Sequence, residues 1–442
     1  MRGLVIGLTL LTAVAMPTPV AAAEATTPNS LGLNATYTVE AEFGWNDRRA
    51  SITTSIEITN DTRWSVNQLA LNLATLRTGR AIVDSVTVDG APVEPDVDDQ
   101  TIVIPLPEPL SPGDTTELAV TYHGRLNSSA DAEGDDWEFA RIGEYLTAYR
   151  WIPWLSRPTR FNRPNVGDPW VTAQASSVTV QITADREVTV ASSGRRVSSD
   201  GLTQTFEATD VRDFNFTASP SYEVHTTSAA GVNITLYERT LPADAILDVA
   251  RRSIRDFAGK IGPYPHEQLT IAETGPWSAF ESPGHIWLPS NASGRLLPWM
   301  VAHEVAHQWF YSAVGNDQTL EPFADEAITD YMARDFINRF VDSTCPTERL
   351  DQTIYEIGDC YAWVIYIQGD EWLRNLRERS GSARFWRAVA DYYQANRGGL
   401  GGTRLLLQAL ANRLGKPAVD YRRFPYKYPA RVVSMPFGPF VP

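Results

Sequence analysis

His303-Glu304-Val305-Ala306-His307 constrains this chain more than any other stretch. On a helix of about 3.6 residues per turn, two histidines four apart project from one face, so both imidazoles reach a single metal ion. The run from Pro298 to Val314 is apolar enough for a buried helix, and Gly315 is a natural stop. The same five-residue pattern also arises by chance, as a pair of core or solvated histidines. It needs a third ligand and a fitting fold before it signifies a metal site.

A catalytic zinc site takes three protein ligands and leaves a fourth position open for water. The segment Phe323 to Tyr331 offers Glu326 on a helix expected to start at Pro322. Eighteen residues lie between His307 and Glu326, enough for the first helix to end and a second to return beside it. Asp330 falls one turn after Glu326 on the same face, which suits a carboxylate that holds the free N–H of a ligand histidine. The plain alternative for Asp330 is a solvent-facing charge.

With 442 residues, the chain is too long for one ordinary core, and two domains are expected. Its 43% hydrophobic and 21% charged residues exclude a largely disordered chain. A net charge of −15 without a basic run speaks against binding nucleic acid or an anionic membrane surface. Met1-Arg2-Gly3, an apolar run from Leu4 to Met16, and small residues up to Ala23 read as a secretory signal peptide (1–23) with cleavage after Ala23. No later segment has about twenty uninterrupted apolar residues, so an exported protein with no integral membrane segment is expected. In that setting Cys345 and Cys360, the two cysteines present, are expected to form one disulfide.

After a polar linker over 24–30, period-two alternation begins, as in Tyr37 to Phe43, Ala50 to Ile58 and Leu118 to Tyr122, with turn residues between. Residues 31–237 therefore read as an antiparallel β-sandwich. Within it, the aromatic and proline-rich stretch from Trp137 to Trp170 either lines a pocket or packs a long connection onto the sheet. The period changes near Leu241, and 238–442 read as a mainly helical second domain. Helices are expected from Pro242 to about Gly259, over Tyr361 to Arg379, Ala383 to Ala395 and Arg404 to Arg413, with a strand near Thr270 to Glu273 and an irregular or edge-strand stretch from Gly275 to Pro289. The fold class is thus α+β in two domains.

His303 to Phe310, with Glu326 at its spacing, resembles the aminopeptidase N family of zinc metallopeptidases, and Asp325 to Asp330 is similar to the corresponding helix of thermolysin. The likeness spans residues 31 to about 400 and includes the Gly262-Pro263-Tyr264-Pro265 turn before Leu269 to Glu273. It implies a β-sandwich followed by a thermolysin-like catalytic domain that holds one Zn²⁺ per chain on His303, His307 and Glu326, with Glu304 as general base. It also implies a tyrosine that donates to the oxyanion. The family's Tyr-x-Lys-Gly is matched best by Tyr366-Ile367-Gln368-Gly369, with Gln in place of Lys, while Tyr355 and Tyr361 are rivals. The family's Gly-x-Met-Glu-Asn corresponds to Ser278-Ala279-Phe280-Glu281-Ser282. Glu281 would then capture a substrate's α-ammonium, with Ala279 and Phe280 against the substrate, and the two serines depart from the pattern. Glu144 is a weak candidate for a second anchor. The family's large C-terminal helical domain has no counterpart after Tyr366, which implies a less enclosed site that tolerates peptides of varied length.

The expected function is zinc-dependent removal of the N-terminal residue from peptides. The alternatives are an endopeptidase of the same fold and a non-catalytic binding protein derived from it.

Overall fold

The computed structural model describes residues 29–426 apart from 79, 129–136, 159–170, 277–278 and 347. The expected signal peptide with its cleavage point at Ala23, the Phe161 and Trp170 end of the aromatic stretch, and Ser278 lie outside the described residues. Among the described residues, no helix is long and apolar enough to cross a membrane.

Alternation makes the first domain. Along Asn34–Phe43 the odd positions Tyr37, Val39, Ala41 and Phe43 are buried, while the even ones face out. This strand lies within an eight-stranded sheet, antiparallel to Arg49–Thr59 on one side and parallel to Ala175–Ala184 on the other. The expected antiparallel sandwich therefore contains one parallel pairing. Two four-stranded sheets share its core, through Leu69, Leu71 and Ile102 of one and Phe139, Val190 and Phe216 of the other. Ser30, expected in the linker, already belongs here. It is buried, its N–H donates to the Ser156 carbonyl, and its hydroxyl accepts from the Ala70 N–H.

The aromatic stretch does both jobs open to it. Trp154 stacks on Tyr37 at 4.4 Å and Trp151 meets Phe43 edge-on at 5.8 Å, both inside the sandwich core. Trp137 and Tyr149 instead pack with Phe280 and Trp287 of the second domain.

The second domain begins earlier than its helical periodicity indicates. Glu223–Ala229 and Val232–Glu238 form a hairpin whose second strand runs parallel to Gln268–Thr274, and the sheet continues through His285–Pro289 to the edge strand Phe280–Ser282. Val232, Ile234 and Leu236 belong to the second core. The expected boundary at 237/238 is therefore corrected to the turn between Ser219 and Glu223. The hairpin alternates like the sandwich strands, so pattern alone assigns it to the wrong neighbour.

Helix α1 (Ala243–Lys260) buries Ile246, Val249, Ala250, Ser253, Ile254 and Phe257, the three-and-four spacing of one apolar face. Its last residue, Lys260, pairs with Asp256 at 2.6 Å and with Asp335 of the next layer at 2.9 Å. Helix α2 (Leu297–Ala306) carries Pro298 in its first turn but is capped at His307, well before the expected stop at Gly315. There the chain folds back on itself. Phe310 bridges to Val314, and Tyr311 adopts φ +107°, a conformation no helix contains. The apolar residues after His307 are buried as a compact turn, which a hydrophobic run does not distinguish from helix. Helix α3 (Glu326–Ile337) follows a single 3₁₀ turn over Pro322–Ala324.

Helix α4 (Gly369–Ser380) covers only the second part of the helix expected from Tyr361 to Arg379, whereas α5 (Ser382–Asn396) and α6 (Thr403–Leu414) agree with their expected spans. A π-helical segment, Ala362–Gln368, leads directly into α4, and π segments recur at functional sites. Cys345 and Cys360 are disulfide-bonded just ahead of it. Gln368, the residue that departs from the family pattern, ties that loop down. Its amide nitrogen donates to the Pro346 carbonyl at 2.9 Å and its oxygen accepts from Arg423 at 2.6 Å.

Replacing both Cys345 and Cys360 with Ser should destabilise the protein by about 3 kcal/mol on the loop-entropy model. Thermal melting would check this, and an unchanged midpoint would mean that the Gln368 bonds alone hold the loop.

Candidate metal centre

Packing of α2 against α3 brings three donor atoms face to face. His303 lies in the last turn of α2, His307 caps that helix, and Glu326 opens α3. The Nε2 atoms of His303 and His307 are 3.1 Å apart, and Glu326 Oε2 lies 3.2 Å from the first and 3.4 Å from the second. Three donors bound at ~2.1 Å to one tetrahedral centre are separated by roughly 3.4 Å, so this near-equilateral triangle fits a zinc ion. The donor set itself, two imidazoles and a carboxylate, is one that zinc accepts in catalytic sites.

Neighbours fix each donor. The His303 ring lies between Tyr366, stacked at 5.5 Å, and Trp299, tilted at 5.3 Å. His307 Nδ1 is 2.9 Å from Asp325 Oδ1 and 3.1 Å from the Phe310 carbonyl, which directs Nε2 toward the triangle. Asp330 sits beside His303, with Oδ1 3.8 Å from Nδ1, beyond hydrogen-bond length. Its oxygens are taken by Trp299 Nε1 at 2.7 Å and Arg334 Nε at 2.5 Å. Asp330 therefore acts on His303 as a nearby charge, and the close carboxylate partner of an imidazole is Asp325.

Burial pushes the Glu304 carboxyl well above its ordinary range; Glu281, Glu326 and Asp325 add to this and His307 opposes it. One Glu304 oxygen is buried without any hydrogen-bond partner. Glu326 is also buried, yet His307 and His303 together outweigh desolvation and hold it well below the usual carboxylate range. An orphaned carboxylate oxygen beside three converging donors is a place shaped for a cation and its water.

Glu281 is on the edge strand Phe280–Ser282, and its carboxylate, that of Glu304 and a nitrogen of His307 lie within 4.8 Å of one another. Ala279 and Phe280 line the same cleft of about 600 Å³, with Phe280 stacked on Trp137 at 4.0 Å. Ser282 faces away from it and fastens the strand to the sandwich. Its hydroxyl accepts from Asn215 Nδ2 at 2.7 Å and meets Ser193 Oγ at 3.1 Å. Gln308, one residue after the motif, clamps the same turn from the other side. It donates to the Ser282 carbonyl at 2.9 Å and accepts from the Gly284 N–H at 2.8 Å.

Tyr366 and Tyr361 both line the cleft, whereas Tyr355 is exposed outside it. Tyr366 stacks on His303 and burial raises its phenol well above the ordinary value, so it remains a donor at neutral pH. Glu144 is exposed, accepts from Ser221 at 3.1 Å, and lies outside the cleft lining. Tyr149 comes from the aromatic stretch that was expected either to line a pocket or to pack a connection, whereas sequence reasoning missed Arg150, Gln318 and Trp299. Only Trp299 carried a signal, being four residues before His303 on the same helix face.

No protein-family model matches the sequence, and no curated protein matches it. Solved structures do. An M1 zinc metallopeptidase from Deinococcus radiodurans aligns with a TM-score of 0.70 at 20% identity, over 88% of this chain and 92% of that one. A mutant of that enzyme bound to a Tyr-Ser-Ala substrate aligns over the same shares at 20% identity with a TM-score of 0.68. A two-domain M1 zinc metallopeptidase mutant bound to L-arginine aligns at 21% identity over 88% and 92%, also at 0.68. At such identities the likeness is one of fold, and this chain has the two-domain fold of the M1 zinc metallopeptidases.

Substituting Asp325→Ala should weaken zinc binding about 10- to 100-fold by freeing the His307 ring. Competition with a chromogenic chelator reads this directly, and unchanged affinity would remove Asp325 from the support of the site.

Proposed function

We propose that this chain, built on the M1 metallopeptidase fold, is an exported zinc aminopeptidase that hydrolyses the first peptide bond of peptide substrates. The observation that carries the reading is the single cleft in which the His303, His307 and Glu326 donors, the unpartnered Glu304 oxygen and the Glu281 carboxylate meet. An exopeptidase needs a cation-binding group one residue away from the attack chemistry. Glu281, with its carboxylate inside that 4.8 Å cluster, answers the need by pairing with the substrate's α-ammonium. The Tyr-Ser-Ala and L-arginine held by the solved neighbours are molecules with such an amine.

Zn²⁺ held by His303, His307 and Glu326 would supply a Lewis acid and lower the pKa of bound water toward about 7, and its charge would oppose the upward push of burial on the Glu304 carboxyl. Glu304 takes the proton from the attacking water and delivers it to the departing amine. Tyr366 donates its O–H to the oxygen on which negative charge develops. Phe280, Trp137 and Tyr149 form an apolar wall that excludes water from the Glu281 side. The signal peptide expected over 1–23 would direct export, the setting in which a disulfide such as Cys345–Cys360 persists.

Glu304→Gln should bind zinc like the wild type and lose about 10² to 10⁴ of kcat on fluorogenic aminoacyl substrates. Wild-type protein that holds zinc yet hydrolyses none of a broad aminoacyl panel would overturn the enzyme reading in favour of a binding protein. N-acetylation of a peptide substrate should abolish turnover. Cleavage of the acetylated peptide would make the protein an endopeptidase. Tyr366→Phe should lower kcat by about 10² to 10³ with a smaller change in KM. A loss following Tyr361→Phe instead would transfer the donor role to the rival tyrosine.

A further inference from the structure

We infer that Gln318, oriented by Arg150 of the sandwich, is the positioning residue that keeps the Glu281 carboxylate aligned for a substrate's α-ammonium. The inference rests on the amine-anchor reading of Glu281. Gln318 sits on the connection between α2 and α3, on neither motif helix, and its amide makes three hydrogen bonds. Arg150 Nη2 donates to Oε1 at 2.9 Å, while Nε2 donates to Glu281 Oε1 at 2.6 Å and to Asp325 Oδ2 at 2.8 Å.

The orientation of that amide follows from chemistry. A guanidinium has no acceptor, so it must face the amide oxygen, and the two N–H groups are thereby turned onto the two carboxylates. Arg150, Glu281 and Asp325 are each at least nine-tenths buried, so this arrangement has few ways to relax. The choice of a neutral donor matters. Lysine or arginine at this position would neutralise Glu281 from within and compete with the incoming ammonium. An amide gives each carboxylate one N–H and leaves its charge intact.

The backbone under Glu281 is held separately, because Tyr149 Oη donates to the Glu281 carbonyl at 3.0 Å. Gln318 therefore governs the side chain, and the sandwich governs both through consecutive residues, Tyr149 and Arg150. Asp317, next to Gln318, is paired with Arg157 and fastens the connection to the same domain.

The test compares wild-type, Gln318→Leu and Gln318→Glu proteins, zinc-loaded and matched in metal content and melting temperature. Calorimetry in a Glu304→Gln background, where turnover is suppressed, gives Kd for L-leucinamide and N-acetyl-L-leucinamide, and kinetics with Glu304 intact give kcat and KM on an aminoacyl substrate. Gln318→Leu should raise Kd for L-leucinamide and KM about tenfold, the scale of a hydrogen bond to a charged group, with kcat within about threefold. Gln318→Glu, close to isosteric, should weaken both further by placing a third carboxylate against two. In a Glu281→Ala background, Gln318→Leu should add less than about a twofold loss. A multiplicative loss in that background, an effect confined to kcat, or equal weakening of the acetylated amide would overturn the inference. A protein with Gln318 intact that binds both amides alike would remove the anchor role of Glu281 and this inference with it, whereas one that discriminates while Gln318→Leu behaves identically would sink this inference alone.

Discussion

Glu281, Glu304 and Glu326 line one cleft, and Asp325 and Asp330, wholly buried, lie beside its two histidines, His307 and His303. Carboxylates gathered this closely repel one another, and each must be offset by a donor or a positive charge. Most of the local architecture answers that demand. His307 faces both Asp325 and Glu326, Trp299 and Arg334 occupy Asp330, and Gln318 serves Glu281 and Asp325 together. Two buried oxygens of this set, Glu304 Oε2 and Asp325 Oδ1, have no hydrogen-bond partner, and the second of them faces the His307 imidazole. The remaining excess of negative charge is the electrostatic counterpart of the donor triangle, since both are satisfied by the same dication.

The sandwich is part of this arrangement and more than a support for it. Tyr149 and Arg150 reach the cleft from its side, and Asn215 and Ser193 hold the edge strand through Ser282. Tyr311, in the turn after the motif, extends its hydroxyl to Asp213 of the sandwich at 3.1 Å. Burial pushes that aspartate up to about 6, against the opposing pull of Arg150. A backbone conformation that disfavours a bulky side chain is thus tied down by an interdomain bond. The geometry of the Glu281 strand relative to the two histidines therefore depends on how the domains dock.

The candidate metal ligands were legible because their spacing is helical or nearly so. His303 and His307 share a face, and Glu326 begins the helix that packs beside them. The helices over 243–260, 369–380, 382–396 and 403–414 were legible for the same reason, a sustained apolar face. Three features were not. The end of α2 at His307 was hidden because the buried turn after it is as apolar as a helix. The domain boundary was hidden because the hairpin of Glu223–Glu238 alternates like the strands before it. Gln318 and Arg150 were hidden because their role lies in contacts made across 168 positions of sequence, which no local period records.

The parallel pairing inside the sandwich bears on how the chain acquires its structure. Asn34–Phe43 has a hairpin partner close by in Arg49–Thr59, but its other neighbour, with Thr36 opposite Ser177, arrives only after most of the domain has been made. Until then one edge of a long, alternately apolar strand is open to pairing with any other chain. Closing so long a loop is entropically slow relative to local pairing. Because synthesis proceeds from the N-terminus, this edge is open before residues 175–184 have been made, which makes the early part of synthesis the interval of greatest exposure to aggregation.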